Sequence, residues 1–143
     1  MTDINFYVSK QDSLDARLKI ACILVKKAIQ HKLQVHIHTD QHTTSQVLNE
    51  LLWTQDEQSF ITHSLVEAGE TPYSLDKVTI SHEFEPMTAC DYLINLSNLR
   101  PSFFSRFKKM AEIIDNTDEL LTAGRKRYAF YRDRGYTLEY HKL

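Results

Sequence analysis

Short apolar runs with strand-like alternation and longer stretches with apolar positions three and four apart take turns along this chain. That alternation limits its possible folds more than any single residue does. Residues 5–9 (NFYVS) read as a first strand, closed by the polar Lys10, Gln11 and Asp12. Next, Leu14, Leu18, Ala21, Cys22, Val25 and Ile29 repeat at helical spacing to about residue 31, with Ser13 as N-cap. Residues 33–38 (LQVHIH) alternate like a strand, with Leu33, Val35 and Ile37 on one face. Residues 43–53 form a second helix, capped by Thr43 or Thr44 and carrying Val47, Leu48, Leu51 and Leu52. Strands are expected at 60–66, 78–80 and 92–96, separated by turn formers around Gly69, Pro72 and Pro86. Pro101 opens a short helix through Met110, and residues 112–114 make a short strand. The last helix runs from 118 to about 134 with Gly135 at its C-terminal cap, and residues 136–143 can add an edge strand. This order predicts a single three-layer α/β/α domain over residues 1–143, Rossmann-like, with a mostly parallel sheet.

Such sheets often hold a nucleotide, and the glycines argue against it here. There are only three, Gly69, Gly124 and Gly135, no two of them within ten residues. Phosphate-cradling loops need clustered glycines, because the backbone must turn sharply and approach the phosphates without a Cβ in the way. The domain is therefore expected to lack a nucleotide-binding loop and to need no cofactor. A net charge of −2 also speaks against a protein that grips DNA mainly by its phosphates, although the C-terminal end is locally basic. Cys22 and Cys90 sit in apolar contexts and read as buried reduced thiols. The opening MTDINFYVSK has no signal-peptide core and no apolar run reaches bilayer-spanning length, so the cytoplasm is the expected compartment.

Few residue groups could carry chemistry. His36 and His38 share one face of a strand, with His42 and Asp40 close by, which is how two ligands of a metal site could be held. The simpler reading makes that face the polar side of a strand whose other face is Leu33, Val35 and Ile37, and no metal site is expected. Asp40 and Asp115 fall near strand ends, where ligands of open α/β sheets bind. Nothing pairs them with a nucleophile, and Asp115 followed by Asn116 reads as a turn or capping pair. No catalytic constellation is recognisable.

Two segments read as binding surfaces. In LLTAGRKRYAFYRDRG, a helical wheel places Ala123, Phe130 and Tyr131, with Leu120 nearby, toward the core. Leu121, Arg125, Tyr128 and Arg132 form a neighbouring stripe of alternating charge and ring. That stripe suits an acidic peptide with an apolar anchor, since guanidinium groups fork onto carboxylates. Periodicity alone favours a plainer reading, a helix whose basic last turn complements its own dipole. In LLWTQDEQSFITH, Trp53 and Phe60 bracket a polar segment and serve equally well as interface anchors or as core residues.

These segments, with the opening FYV, resemble the chi subunit family of the bacterial DNA polymerase III holoenzyme. One block is Leu52, Trp53, Ser59, Phe60 and His63; the more specific one is Arg125, Arg127, Tyr128, Tyr131, Arg132, Gly135 and Tyr136. The resemblance covers nearly the whole chain, most loosely between Gly69 and Pro86. It differs in a shorter turn before the last helix and in Leu121, where the family pattern carries a lysine. It implies a non-catalytic accessory subunit of the clamp loader acting in DNA replication. One surface, with Trp53 and Phe60, would take the psi subunit or an alternative helicase partner. The other, with Leu121, Arg125, Tyr128 and Arg132, would receive the acidic, Phe-ending C-terminal tail of single-stranded DNA-binding protein. The resemblance thereby reverses the plainer reading of the basic helix. A nucleotide- or metal-dependent α/β enzyme is the competing expectation, resting on fold type and the histidines alone. Direct binding of single-stranded DNA by the basic-aromatic helix is a third.

Overall fold

A computed structural model describes residues 1–54, 63–65, 78–82 and 91–143. Among these the chain runs β1 (Asp3–Val8), α1 (Leu14–Gln30), β2 (Val35–Thr39), α2 (His42–Thr54), β3 (His63–Leu65), β4 (Val78–His82) and β5 (Tyr92–Asn95). It continues through a 3-10 turn (Phe104–Arg106), β6 (Lys109–Ile114), α3 (Asp118–Asp133) and β7 (Leu138–Lys142). The seven strands form one sheet in the order β3-β4-β2-β5-β6-β1-β7, and every described pairing is parallel. The expected α/β/α layering holds.

Side-chain alternation divides the core between the two faces of the sheet. One face carries Val35, Ile37, Val78, Ile80, Ile94, Ala111 and Ile113, covered by Leu18, Cys22 and Val25 of α1 and Leu48 of α2. Ser13 caps α1 as expected, its side chain accepting from the Ala16 N–H at 3.1 Å. Cys22 is a free thiol on this face, pushed by burial up to about 11 and so kept protonated. Cys90 lies outside the described residues. The other face carries Ile4, Phe6, Leu93 and Met110, covered by Tyr131 of α3 and by Phe103, Phe104 and Phe107.

The segment after Pro101 departs from expectation. Phe103, Phe104 and Phe107 have helical spacing, yet the segment holds only a short 3-10 turn over Phe104–Arg106, flanked by Phe103 and Phe107, and β6 starts at Lys109, three residues earlier than read. Burial of the three rings against the second face decides the backbone there, overriding local spacing. α2 likewise begins at His42, ahead of both proposed caps.

The histidine face is also not the polar side of a strand. His36 is 2% exposed and His38 is buried, both under Phe103. The His36 ring nitrogens bond the Thr79 hydroxyl at 2.6 Å and the Ser81 hydroxyl at 2.9 Å, so two residues of β4 satisfy a histidine of β2. Burial, reinforced by His38, pulls the His36 pKa down to about 3. Because the unfolded ring titrates near 6.5, the unfolded chain binds a proton between those values that the folded one refuses. Stability therefore falls with pH across that window, by about 2 kcal/mol from His36 at pH 5. His36→Gln should flatten this slope in pH-dependent melting, and an imidazole that titrates near 6.5 by NMR would contradict the assignment.

Candidate functional site

α3 is held on the sheet by a buried polar cluster that sequence reading missed. Glu112 of β6 is fully buried, and its carboxylate accepts from Arg127 Nε at 3.0 Å, the Tyr131 hydroxyl at 2.7 Å and Asn95 Nδ2 at 2.6 Å. Burial pushes this carboxyl upward, while the three donors pull it back toward the ionised form. Arg127 Nη1 also donates to the Asn98 carbonyl at 3.0 Å. About one turn before Arg127, Gly124 lets α3 approach β6 closely, since a Cβ there would meet Ile114 Cδ1 at 2.8 Å. Gly135 leaves the helix at φ 81, a conformation that favours glycine. Together these contacts fix the roll of α3 about its axis.

With that roll fixed, the side chains sort differently from the helical wheel. Gly124, Arg127 and Tyr131 are buried, while Leu120, Ala123 and Phe130 are only half-buried. Phe130 lies between the guanidinium groups of Arg100 and Arg134, 3.8 and 3.6 Å from its ring centre, so cations cover the faces that a core would otherwise have to.

The stripe of Leu121, Arg125, Tyr128 and Arg132 lines a groove of about 350 Å³ beside α3. Its floor is Phe6 of β1 and Ile114 of β6, with Gly124 and Ala129 along the helix and Tyr140 of β7 on the far side. Tyr128 is held against Phe6 with ring centres 5.3 Å apart. Arg125 and Arg132 are exposed, and Arg132 makes a surface ion pair with Asp133 at 3.3 Å. Arg125 makes no ion pair among the described residues. The groove thus joins an apolar floor to two guanidinium groups, a combination that can take an apolar side chain next to a carboxylate. The helical stripe was legible in the sequence. Phe6, Ile114 and Tyr140 were not singled out, because they reach the groove only through the parallel pairing of β1 with β6 and β7.

The other candidates lie elsewhere. Trp53 is near the C-terminal end of α2, and Phe60 falls outside the described residues. Asp40 and Asp115 do meet at one polar pocket at the carboxyl ends of the strands, together with Asp12 and Arg17. Their oxygens are spent on the chain itself. Asp40 accepts from the Asn98 N–H at 3.3 Å, and Asp12 from the Asn116 N–H at 2.9 Å. Asp115 accepts from the Thr117 N–H at 2.9 Å and sits 3.7 Å from Arg17, which is the turn role its sequence context indicates. Among the described residues no three His, Cys, Asp or Glu side chains are placed to hold a metal ion. In the turn from β1 to α1, where nucleotide-binding relatives of this fold carry glycines, Ser9 Oγ donates to the Gln11 carbonyl instead, at 2.9 Å. None of the described helices is long and apolar enough to cross a membrane.

Comparison with known proteins agrees with the motifs. The family model described as "DNA polymerase III chi subunit, HolC" matches residues 1–139. The protein named DNA polymerase III subunit chi from Pseudomonas aeruginosa is 34% identical over 144 residues, covering 100% of this chain and 98% of the relative. Proteins of the same name from Escherichia coli (strain K12) and Haemophilus influenzae are 27% and 26% identical, covering 96% and 93% of this chain and 96% and 92% of themselves. A family match over nearly every residue, joined by full-length likeness to three subunits of that name, shows that this chain belongs to the DNA polymerase III chi subunit family.

Proposed function

We propose that this chain, a non-catalytic accessory subunit of DNA polymerase III, tethers the polymerase's clamp loader to single-stranded DNA-binding protein. The tether is the groove beside α3, which receives that protein's acidic C-terminal tail. The terminal Phe side chain rests on Phe6 and Ile114, Arg125 forks onto the terminal carboxylate, and Arg132 and Tyr128 flank the entry. The observation that carries this reading is the coincidence in one groove of an apolar floor with Arg125, a guanidinium whose donors are not committed to an ion pair among the described residues. A second surface around Trp53 and Phe60 takes the psi subunit or a helicase and so links the chain to the clamp loader. Because single-stranded DNA-binding protein offers several tails per oligomer, a micromolar contact is enough to hold the two together.

Titration calorimetry with a peptide of acidic residues ending in Phe tests the tail assignment. Binding is expected in the micromolar range, around −8 kcal/mol. Amidating the terminus removes the charge that Arg125 reads and should weaken binding markedly. Arg125→Ala should cost about 1.5–3 kcal/mol of affinity with the fold intact, as expected for a charge-assisted bond. Equal affinity of acid and amide peptides, or no effect of Arg125→Ala on a folded protein, would refute the assignment.

A further inference from the structure

We infer that Tyr140, on the edge strand, is a specificity-determining residue of the groove: it forms the wall opposite Tyr128 and selects an aromatic side chain at the last position of the bound peptide. This rests on the tail reading of the groove and goes beyond it, because that reading uses α3 and the floor and leaves the far side unassigned.

Three observations support it. In the β1–β7 register Tyr140 lies directly beside Phe6, and alternation sends both side chains to the α3 side of the sheet. The Tyr140 ring lines the groove together with Tyr128, Phe6 and Ile114, yet it is 46% exposed, whereas Phe6 and Ile114 are buried. Tyr128 has a ring partner in Phe6; Tyr140 has none among the described residues. A large aromatic left half-exposed beside an apolar floor offers a face that another ring can cover.

The strand beneath it is well anchored, so the wall is not a loose tail. On the opposite face His141 stacks on Tyr7, ring centres 4.9 Å apart, and its Nε2 bonds Asn5 Oδ1 at 3.0 Å. Beyond it the Leu143 N–H donates to the Val8 carbonyl at 3.1 Å. Tyr140 is thus held in place by its neighbours while its own ring stays open to a ligand. A ring entering between Tyr128 and Tyr140 would rest on Phe6 and Ile114 and exclude water from three sides, whereas a terminal alanine would leave that space unfilled.

The test compares two acidic peptides, one ending in Phe and one in Ala, against wild type, Tyr140→Ala, Tyr140→Phe and Arg125→Ala. Wild type should prefer the Phe peptide, and Tyr140→Ala should weaken that peptide roughly tenfold while changing the Ala peptide little, so that the preference collapses. Tyr140→Phe should keep the preference, because the ring and not the hydroxyl forms the wall. Arg125→Ala should weaken both peptides alike and leave the preference intact. A preference that survives Tyr140→Ala overturns the role of Tyr140 while leaving the tail reading standing. Wild type that binds both peptides equally overturns the role of Tyr140 and the seating of the terminal Phe on Phe6 and Ile114, and leaves only the Arg125 contact standing. Wild type that binds neither peptide overturns both.

Discussion

Arg127→Met should lower the free energy of unfolding by about 3–4 kcal/mol at neutral pH, the scale expected when one partner of a buried ion pair is removed. The partner left behind is Glu112, fully buried away from bulk solvent. It keeps the Tyr131 and Asn95 donors, but loses the only cation that contacts it among the described residues. Proton uptake limits the damage. Neutralising a carboxyl whose ordinary pKa is 4.5 costs about 1.36 kcal/mol per pH unit above that value, or roughly 3.4 kcal/mol at pH 7. This gives the variant a pH signature. Its folded carboxyl has a raised pKa and its unfolded one does not, so the unfolded chain binds fewer protons and stability falls as pH rises above about 4.5. Acidifying from pH 7 to pH 5.5 should therefore return about 2 kcal/mol. The melting temperature at pH 7 should drop by roughly 10 °C. Adding Glu112→Gln removes the stranded charge and should recover most of the loss. A single variant that costs under about 1 kcal/mol, or whose loss ignores pH, would show that the carboxylate does not depend on Arg127.

How legible this cluster was in the sequence depends on which partner is considered. Tyr131 reads as a core residue from helical spacing, and it is one. Arg127 belongs to a run of basic residues that looks solvated, and it is Glu112, fifteen residues earlier on β6, together with the Asn98 carbonyl, that makes its burial tolerable. Helical periodicity reports which way a side chain points, not what waits there. His36 repeats the lesson on a strand. Its alternation with Leu33, Val35 and Ile37 marks two faces correctly, but in a sheet covered on both sides polarity no longer signals exposure. The hydroxyls that satisfy its ring come from β4, 43 and 45 residues away. The α1 and α3 spans, the β1 and β2 strands and the edge strand β7 were readable, because period and capping are local. The groove was half readable for the same reason: its helical wall lies within twelve residues of sequence, while its floor and far wall arrive from β1, β6 and β7.

The sheet order also bears on whether the two proposed surfaces are separate, and Trp53→Ala tests that directly. α2 packs over β3, β4 and β2, whereas the groove lies over β6, β1 and β7 at the other end of the sheet. β4 and β1 are four places apart in that order, and with strands about 4.8 Å apart this separates them by roughly 20 Å. Substitutions that far apart act independently to within about 0.5 kcal/mol. Trp53→Ala is therefore expected to abolish pull-down of the clamp-loader or helicase partner, since loss of a tryptophan anchor from an interface costs about 2–4 kcal/mol, or some thirty- to thousandfold in affinity. Affinity for the acidic peptide, measured on the same preparation, should stay within about threefold of wild type. If Trp53 instead serves the core, its truncation costs roughly 3–5 kcal/mol of stability, and circular dichroism with melting will show it before any binding is measured. In that case Trp53→Phe, which keeps most of the ring volume, separates anchoring from packing. A folded variant that loses peptide and partner together would mean that one surface serves both, and the tether proposed here would have no second end.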